Sequence, residues 1–151
     1  MTENISHHPT EHPLSERNLP LIHTAATFWA GFVPEASRQV FFDALVGEMS
    51  RVLDKPEDPR RRDRQYPNWL PVSTYEFGTG VHPDERGVES DIPIRHALKA
   101  TGETENLHSL LPRQTHTVID IENGTVFLHE MVVINGEKHL KRTNIFPTVW
   151  R

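Results

Sequence analysis

The chain has 151 residues, a formal net charge of −5 and a sequence pI near 6.0, and such a length buries one core and suits a single domain. Its acidic balance argues against a nucleic-acid-binding surface, which needs clustered excess Lys and Arg. The absence of cysteine excludes disulfides, thiolate nucleophiles and Cys-ligated zinc, and no run approaches the roughly 18 apolar residues of a membrane span, so a soluble cytoplasmic protein with no membrane contact is expected.

Residues 1–19 carry His7, His8 and His12 among Pro and Glu, with few large apolar groups. Such a segment cannot offset the entropy of ordering, and it has neither the basic nor the apolar region of a secretory signal, so a disordered tail ahead of one domain over 20–151 is expected. Its histidines lack the preorganised neighbours that a metal site requires. From Leu21 to Phe32, Leu21, Ile22, Ala25, Ala26, Phe28, Trp29 and Phe32 predict a largely buried helix, broken by Gly31 and Pro34. Pro34 at a first helical position, Glu35 in the first turn, and Val40, Phe41, Ala44, Leu45, Met49, Val52 and Leu53 at helical spacing predict a second helix over about 34–53.

Between Asp54 and Pro71 the pairs Lys55-Pro56, Asp58-Pro59 and Tyr66-Pro67 block regular structure, and a long surface loop is expected. Its run Arg60–Arg64 is diluted by Asp58 and Asp63, so it reads as solvated. Trp69, flanked by Pro67 and Pro71, is either a lid or interface anchor, or a plug at the core edge. Alternation over Val72–Phe77 predicts a short strand ended by Gly78 and Gly80. A second loop carries His82 to Gly87, and Asp91 is placed to cap a short helix over 92–100, with Gly102 just past its end.

Thr115–Glu122, Thr125–Ile134 and Glu137–Phe146 are β-rich runs joined by Asn123-Gly124 and Asn135-Gly136, which predicts two hairpins forming a three-stranded meander. If both turns have two residues, Glu122 faces Thr125, Val118 faces His129 and His116 faces Met131, while Ile134 faces Glu137 and His129 faces Arg142. Alternation then gathers His116, Val118, Asp120, Phe127, His129, Met131, Arg142, Asn144 and Phe146 on one face. The opposite face carries Thr117, Ile119, Val126, Leu128, Glu130 and Lys141, and suits solvent or a dimer contact. On the first face Asp120 and Arg142 flank His129, so a hydrogen-bonded acid-base cluster is geometrically open. The alternative is that His116 and His129 are half-exposed sheet residues and Arg142 a surface charge. A single bulge would rearrange the cluster.

No phosphate-binding glycine loop, nucleophile elbow or His-Glu-x-x-His helix occurs. A His-only set of His82, His116 and His129 suits zinc or iron, but nothing in the spacing fixes three ligands, so neither a metal nor an organic cofactor is expected.

Tyr75-Glu76-Phe77-Gly78, Arg86-Gly87-Val88-Glu89 ahead of the short helix, and the paired segments Gln114–Ile119 and Val126–His129 resemble the nuclear transport factor 2-like superfamily, of the scytalone dehydratase and SnoaL-like cyclase-isomerase type. The resemblance spans about residues 20–146. It implies an α+β fold in which N-terminal helices pack on a strongly curved antiparallel sheet in a cone around a pocket. It also implies that Tyr75, His116 and His129 polarise a substrate carbonyl or hold a water. The first-helix Tyr-Asp pair of the dehydratase type has no counterpart here, and the sheet ends short of the usual last strand, leaving an edge for a second copy to cover.

The resulting expectation is a small-molecule lyase, isomerase or cyclase, with His129 as acid/base, Asp120 orienting it, and His116 and Tyr75 completing the catalytic set. Arg142, Phe127, Met131, Asn144 and Trp69 would bind substrate, and the protein would be a homodimer. The alternative is a noncatalytic ligand-binding or dimerising module of the same fold.

Overall fold

In a computed structural model, the described residues are 13–55, 68–74 and 90–147. Three N-terminal helices, α1 (Leu14–Arg17), α2 (Leu19–Ala30) and α3 (Glu35–Leu53), precede the strand β1 (Trp69–Val72). Helices α4 (Ile92–Thr101) and α5 (Thr104–His108) follow, then strands β2 (Thr115–Asp120), β3 (Thr125–Ile134) and β4 (Glu137–Phe146). The four strands form one antiparallel sheet in the order β1-β2-β3-β4. The protein is therefore an α+β chain with helices first and most of the sheet last. None of the described helices is long and apolar enough to cross a membrane.

Helical packing begins at Leu14, inside the stretch whose composition reads as tail; residues 1–12 lie outside the described part. The anchor is Ser15, whose backbone N–H and hydroxyl donate to the two carboxylate oxygens of Asp54 at 2.9 and 2.6 Å. Helix α3 buries Ser37, Phe41, Leu45, Met49, Val52 and Leu53, a stripe at steps of three and four that follows one side of a 3.6-residue helix. Val40 falls off that stripe and is exposed. At the end of α2, Arg38 donates from Nε to the carbonyls of Ala30 and Val33, and from Nη2 to Val33 again. These bonds tie α3 to the turn that follows α2, where the Ala30 carbonyl also accepts from the Val33 N–H at 3.1 Å.

The core lies between the helices and one face of the sheet. Leu21, Ile22, Trp29, Phe41, Leu45, Met49, Ile94 and Leu98 pack with Leu70, Val72, Ile119 and Val126 from the strands. Trp29 is fully buried, and its Nε1 donates to the Thr117 hydroxyl at 2.8 Å, tying α2 to β2. The face expected to meet solvent or a second copy is thus the one the helices cover. The reason is apolar area: Thr117, Ile119 and Val126 present a continuous surface, and its burial outweighs the polar residues Glu130 and Lys141 farther along the strands.

Two further local expectations change. The strand predicted over Val72–Phe77 lies earlier, at Trp69–Val72, with Pro71 opposite Val118. Proline is tolerated there because β1 is the edge strand among the described residues, where its missing N–H interrupts no described ladder. Residues 75–77 lie outside the described part. Helix α4 ends as expected, with Gly102 at φ 78°, but Asp91 makes no side-chain cap and instead pairs with Arg95 Nε at 2.9 Å.

The second hairpin has the predicted two-residue turn, with Asn135 at φ 53° and Gly136 at φ 81°. An alanine Cβ at position 136 would meet no neighbour, so Gly136→Ala isolates the left-handed backbone penalty. The expected loss is about 1–2 kcal/mol in urea denaturation.

Glu48 on α3 links to α4. It accepts from Arg51 Nη2 at 2.7 Å and from His96 Nδ1 at 2.8 Å. Burial raises its pKa, but the hydrogen bonds and charges of Arg51 and His96 outweigh it and hold the carboxyl below its usual range. A depressed folded pKa stabilises above the unfolded value of about 4.3, and the gain is lost as pH falls through the folded value. Glu48→Gln should therefore destabilise at pH 7 by less than about 1 kcal/mol, as for other solvent-screened pairs. The difference from the parent should vanish in acid denaturation below that folded value.

Candidate functional site

The site is built on the sheet face turned away from the helices, and register decides which side chains meet there. Strands β2 and β3 pair His116 with His129, Val118 with Phe127 and Asp120 with Thr125. This is two residues away from the register expected of a two-residue Asn123-Gly124 turn. The connection is a four-residue loop, Ile121–Gly124, in which the Gly124 N–H reaches the Asp120 carbonyl at 2.9 Å and Gly124 takes φ 67°. Asp120 shapes it: Oδ1 accepts from the N–H groups of Glu122 and Asn123, each at 3.1 Å, and Oδ2 accepts from Asn123 Nδ2 at 2.8 Å. Because this shift is an even number of residues, His116, Val118, Asp120, Phe127 and His129 keep their expected face; Phe146 does not, since a bulge at Val126/Phe127 sets it opposite Val126 on the core face.

Asp120 is consequently held by the loop, not by an imidazole. Arg142 is the group that reaches His129. Its Nε donates to His129 Nε2 at 3.0 Å, across the directly paired positions of β3 and β4. A nitrogen that accepts carries no proton, so this bond sets the neutral His129 ring with its hydrogen on Nδ1. The guanidinium also lies over aromatic rings, with Cζ 4.3 Å from the Phe127 centroid and 5.4 Å from that of Trp69. Stacking on ring faces stabilises a guanidinium and fixes its plane.

Trp69 comes from β1, where it pairs in register with Asp120. Its ring meets Phe127 edge-on at 5.1 Å and His129 at 5.7 Å, while Phe127 and His129 are 4.8 Å apart. Side chains from β1 and β3 thereby assemble one aromatic box, reaching each other across β2. The rings of His116 and His129 are buried, at 0% and 2% exposure, Phe127 is also buried, and Arg142 is exposed. The half-exposed reading of the two histidines therefore fails. The site has a desolvated imidazole floor and a cation at its rim.

The remaining candidates sit farther out. Met131 is half-buried opposite Leu140, beyond the His116–His129 pair. Asn144 is opposite Phe127, is exposed, and donates to the Pro147 carbonyl at 3.2 Å. Tyr75, His82 and the histidines of residues 1–12 lie outside the described residues, as do Tyr75–Gly78 and Arg86–Glu89. Among the described residues no three His, Asp or Glu side chains converge as a metal-ligand set.

Comparison with known proteins finds no family model, no curated protein and no solved structure that matches this chain. The class of the molecule is accordingly defined by its own architecture: an α+β fold carrying two buried histidines and an exposed arginine in an aromatic cluster on its four-stranded sheet.

Proposed function

We propose that this domain is a cytoplasmic lyase, isomerase or cyclase of the nuclear transport factor 2-like type, acting on a small molecule without an organic cofactor. The observation that carries the reading is the Arg142 Nε to His129 Nε2 hydrogen bond, 3.0 Å long and laid on the Trp69 and Phe127 rings. A neutral imidazole beside a fixed guanidinium is the pair needed to move a proton next to a developing oxyanion. The outward Nη groups of Arg142 hold the substrate oxygen. As the guanidinium turns toward that oxygen it releases Nε2, which takes the proton. His116, directly across from His129, polarises the same carbonyl, and Phe127 and Trp69 keep water from the reacting atoms. The order of helices before an antiparallel sheet is compatible with the cone-shaped fold.

A noncatalytic ligand-binding or dimerising module is favoured by a different observation, the exposed apolar residues Val133, Ile134 and Leu140 at the β3–β4 hairpin. One experiment separates the two. A panel of small ketones, β-hydroxy ketones and enols is incubated with the protein in D2O and followed by proton NMR. Deuterium uptake at the carbon next to the carbonyl, or loss of water, supports the enzyme. Saturable binding with neither reaction leaves the ligand-binding module, and no binding at all leaves only the dimerising one. The homodimer would form over Val133, Ile134 and Leu140, exposed on the β3–β4 hairpin, and Ile134→Glu should then halve the mass measured by sedimentation.

A further inference from the structure

A concavity bordered by α4 and α5 shares no described lining residue with the sheet cluster. It encloses about 360 Å³ and is lined by Thr74, Asp91, Ile94, Arg95, Leu98, Thr104, His108 and Arg113. Ligand pockets begin at roughly 300 Å³ and combine an apolar floor with a few convergent polar groups. Ile94 and Leu98, both fully buried, back its base. The walls are pinned: Thr74 donates from Oγ1 to the Pro112 carbonyl at 3.0 Å, next to Arg113, and Ser73 N–H donates to the Ser90 carbonyl at 3.0 Å, next to Asp91.

The charge in this hollow is one-sided. Asp91 is the one carboxylate among those lining groups, and Arg95 already pairs with it at 2.9 Å. Arg113 and His108 have no carboxylate partner among the described residues. A neighbouring hollow of about 290 Å³ shares Arg95 and Thr104 and adds His96 and Lys99, with no carboxylate among its described lining residues. Arg95 and Lys99 stand four residues apart on α4, a like-charge spacing that destabilises a helix slightly. Arg95 is matched by Asp91 and His96 by Glu48, which leaves Arg113, His108 and Lys99 as the basic groups around these two adjoining hollows with no carboxylate partner among the described residues. Cations lining a concave, low-dielectric wall focus their field on an incoming anion.

We infer that this double hollow over α4 and α5 binds a small organic anion, its carboxylate or phosphate between Arg113, His108 and the Arg95–Lys99 edge. The hydroxyl of Thr104 donates to the same oxyanion, while that of Thr74 stays on the Pro112 carbonyl.

The test titrates the full-length 15N-labelled protein with phenyl phosphate, benzoate and benzyl alcohol. At least one anion should give saturable shifts of the amides in 94–99 and 104–113, and the stronger of the two identifies the oxyanion. Benzyl alcohol, with the ring but no charge, should not saturate. Arg113→Gln and Lys99→Gln, both at exposed positions, should each weaken the anion at least tenfold, with unchanged β3 amides reporting an intact fold. Two independent variants keep the test open should one misfold. Absence of saturation by both anions, equal binding of the alcohol, or unchanged affinity in both variants overturns the inference.

Discussion

Trp29→Ala is expected to lower the unfolding free energy by about 3–5 kcal/mol, the range for removing a buried Trp or Phe side chain. The ring is fully buried at the junction of α2, α3 and β2, so its removal takes apolar contact from both layers at once. It also removes the 2.8 Å bond from Nε1 to the Thr117 hydroxyl. Domains of this size are stable by only about 5–15 kcal/mol, so the variant should unfold at much lower urea concentration. Thr117→Val separates the two contributions. It keeps the shape and leaves the indole N–H buried without its acceptor, at a cost of about 1–3 kcal/mol. If Thr117→Val unfolds at the parent's urea midpoint, the indole bond contributes nothing, and the Trp29 effect is packing alone.

For function, the largest expected effect is at His129. General acid-base steps supply about 10² to 10⁴-fold in rate, and under the proposed reading His129→Gln with an intact fold lowers kcat by at least tenfold on any substrate found in the D2O screen. Arg142→Gln should act differently. It removes the guanidinium that holds the substrate oxygen, so KM rises with any fall in kcat. Arg142→Lys should restore little, because an ammonium cannot keep the planar stacking on Phe127 while reaching His129. Unchanged turnover in His129→Gln would strike the imidazole from the mechanism, whatever the other variants do.

The hairpin region shows how far residue patterns carry. The Asn-Gly pairs located both reversals, and at Asn135-Gly136 the positive φ angles needed for a two-residue turn are present. At Asn123-Gly124 a side chain intervened. The Asp120 carboxylate accepts three hydrogen bonds from the loop, and they stabilise a four-residue connection over the shorter one. The displacement is even, so His116, Phe127, His129 and Arg142 remained on one face, and Arg142 opposite His129 was legible from counting alone. Trp69 could be flagged but not placed, since its strand looks like loop in a Pro-rich stretch and forms by pairing with β2. The hollow over α4 and α5 left no trace in local pattern, because Thr74, Arg95, His108 and Arg113 converge only when four separate segments pack.

Residue order by itself determined the helices-then-sheet layout and the two chain reversals, together with the sharing of one face by the histidines and the arginine, because periodicity and turn chemistry are local. Tertiary structure decided which sheet face the helices cover and where the Asp120 carboxylate is engaged. It also decided that Arg142, not Asp120, reaches His129. Both faces carry enough apolar groups to serve as core, and only the fit of Trp29 and its neighbours against Thr117, Ile119 and Val126 selects between them.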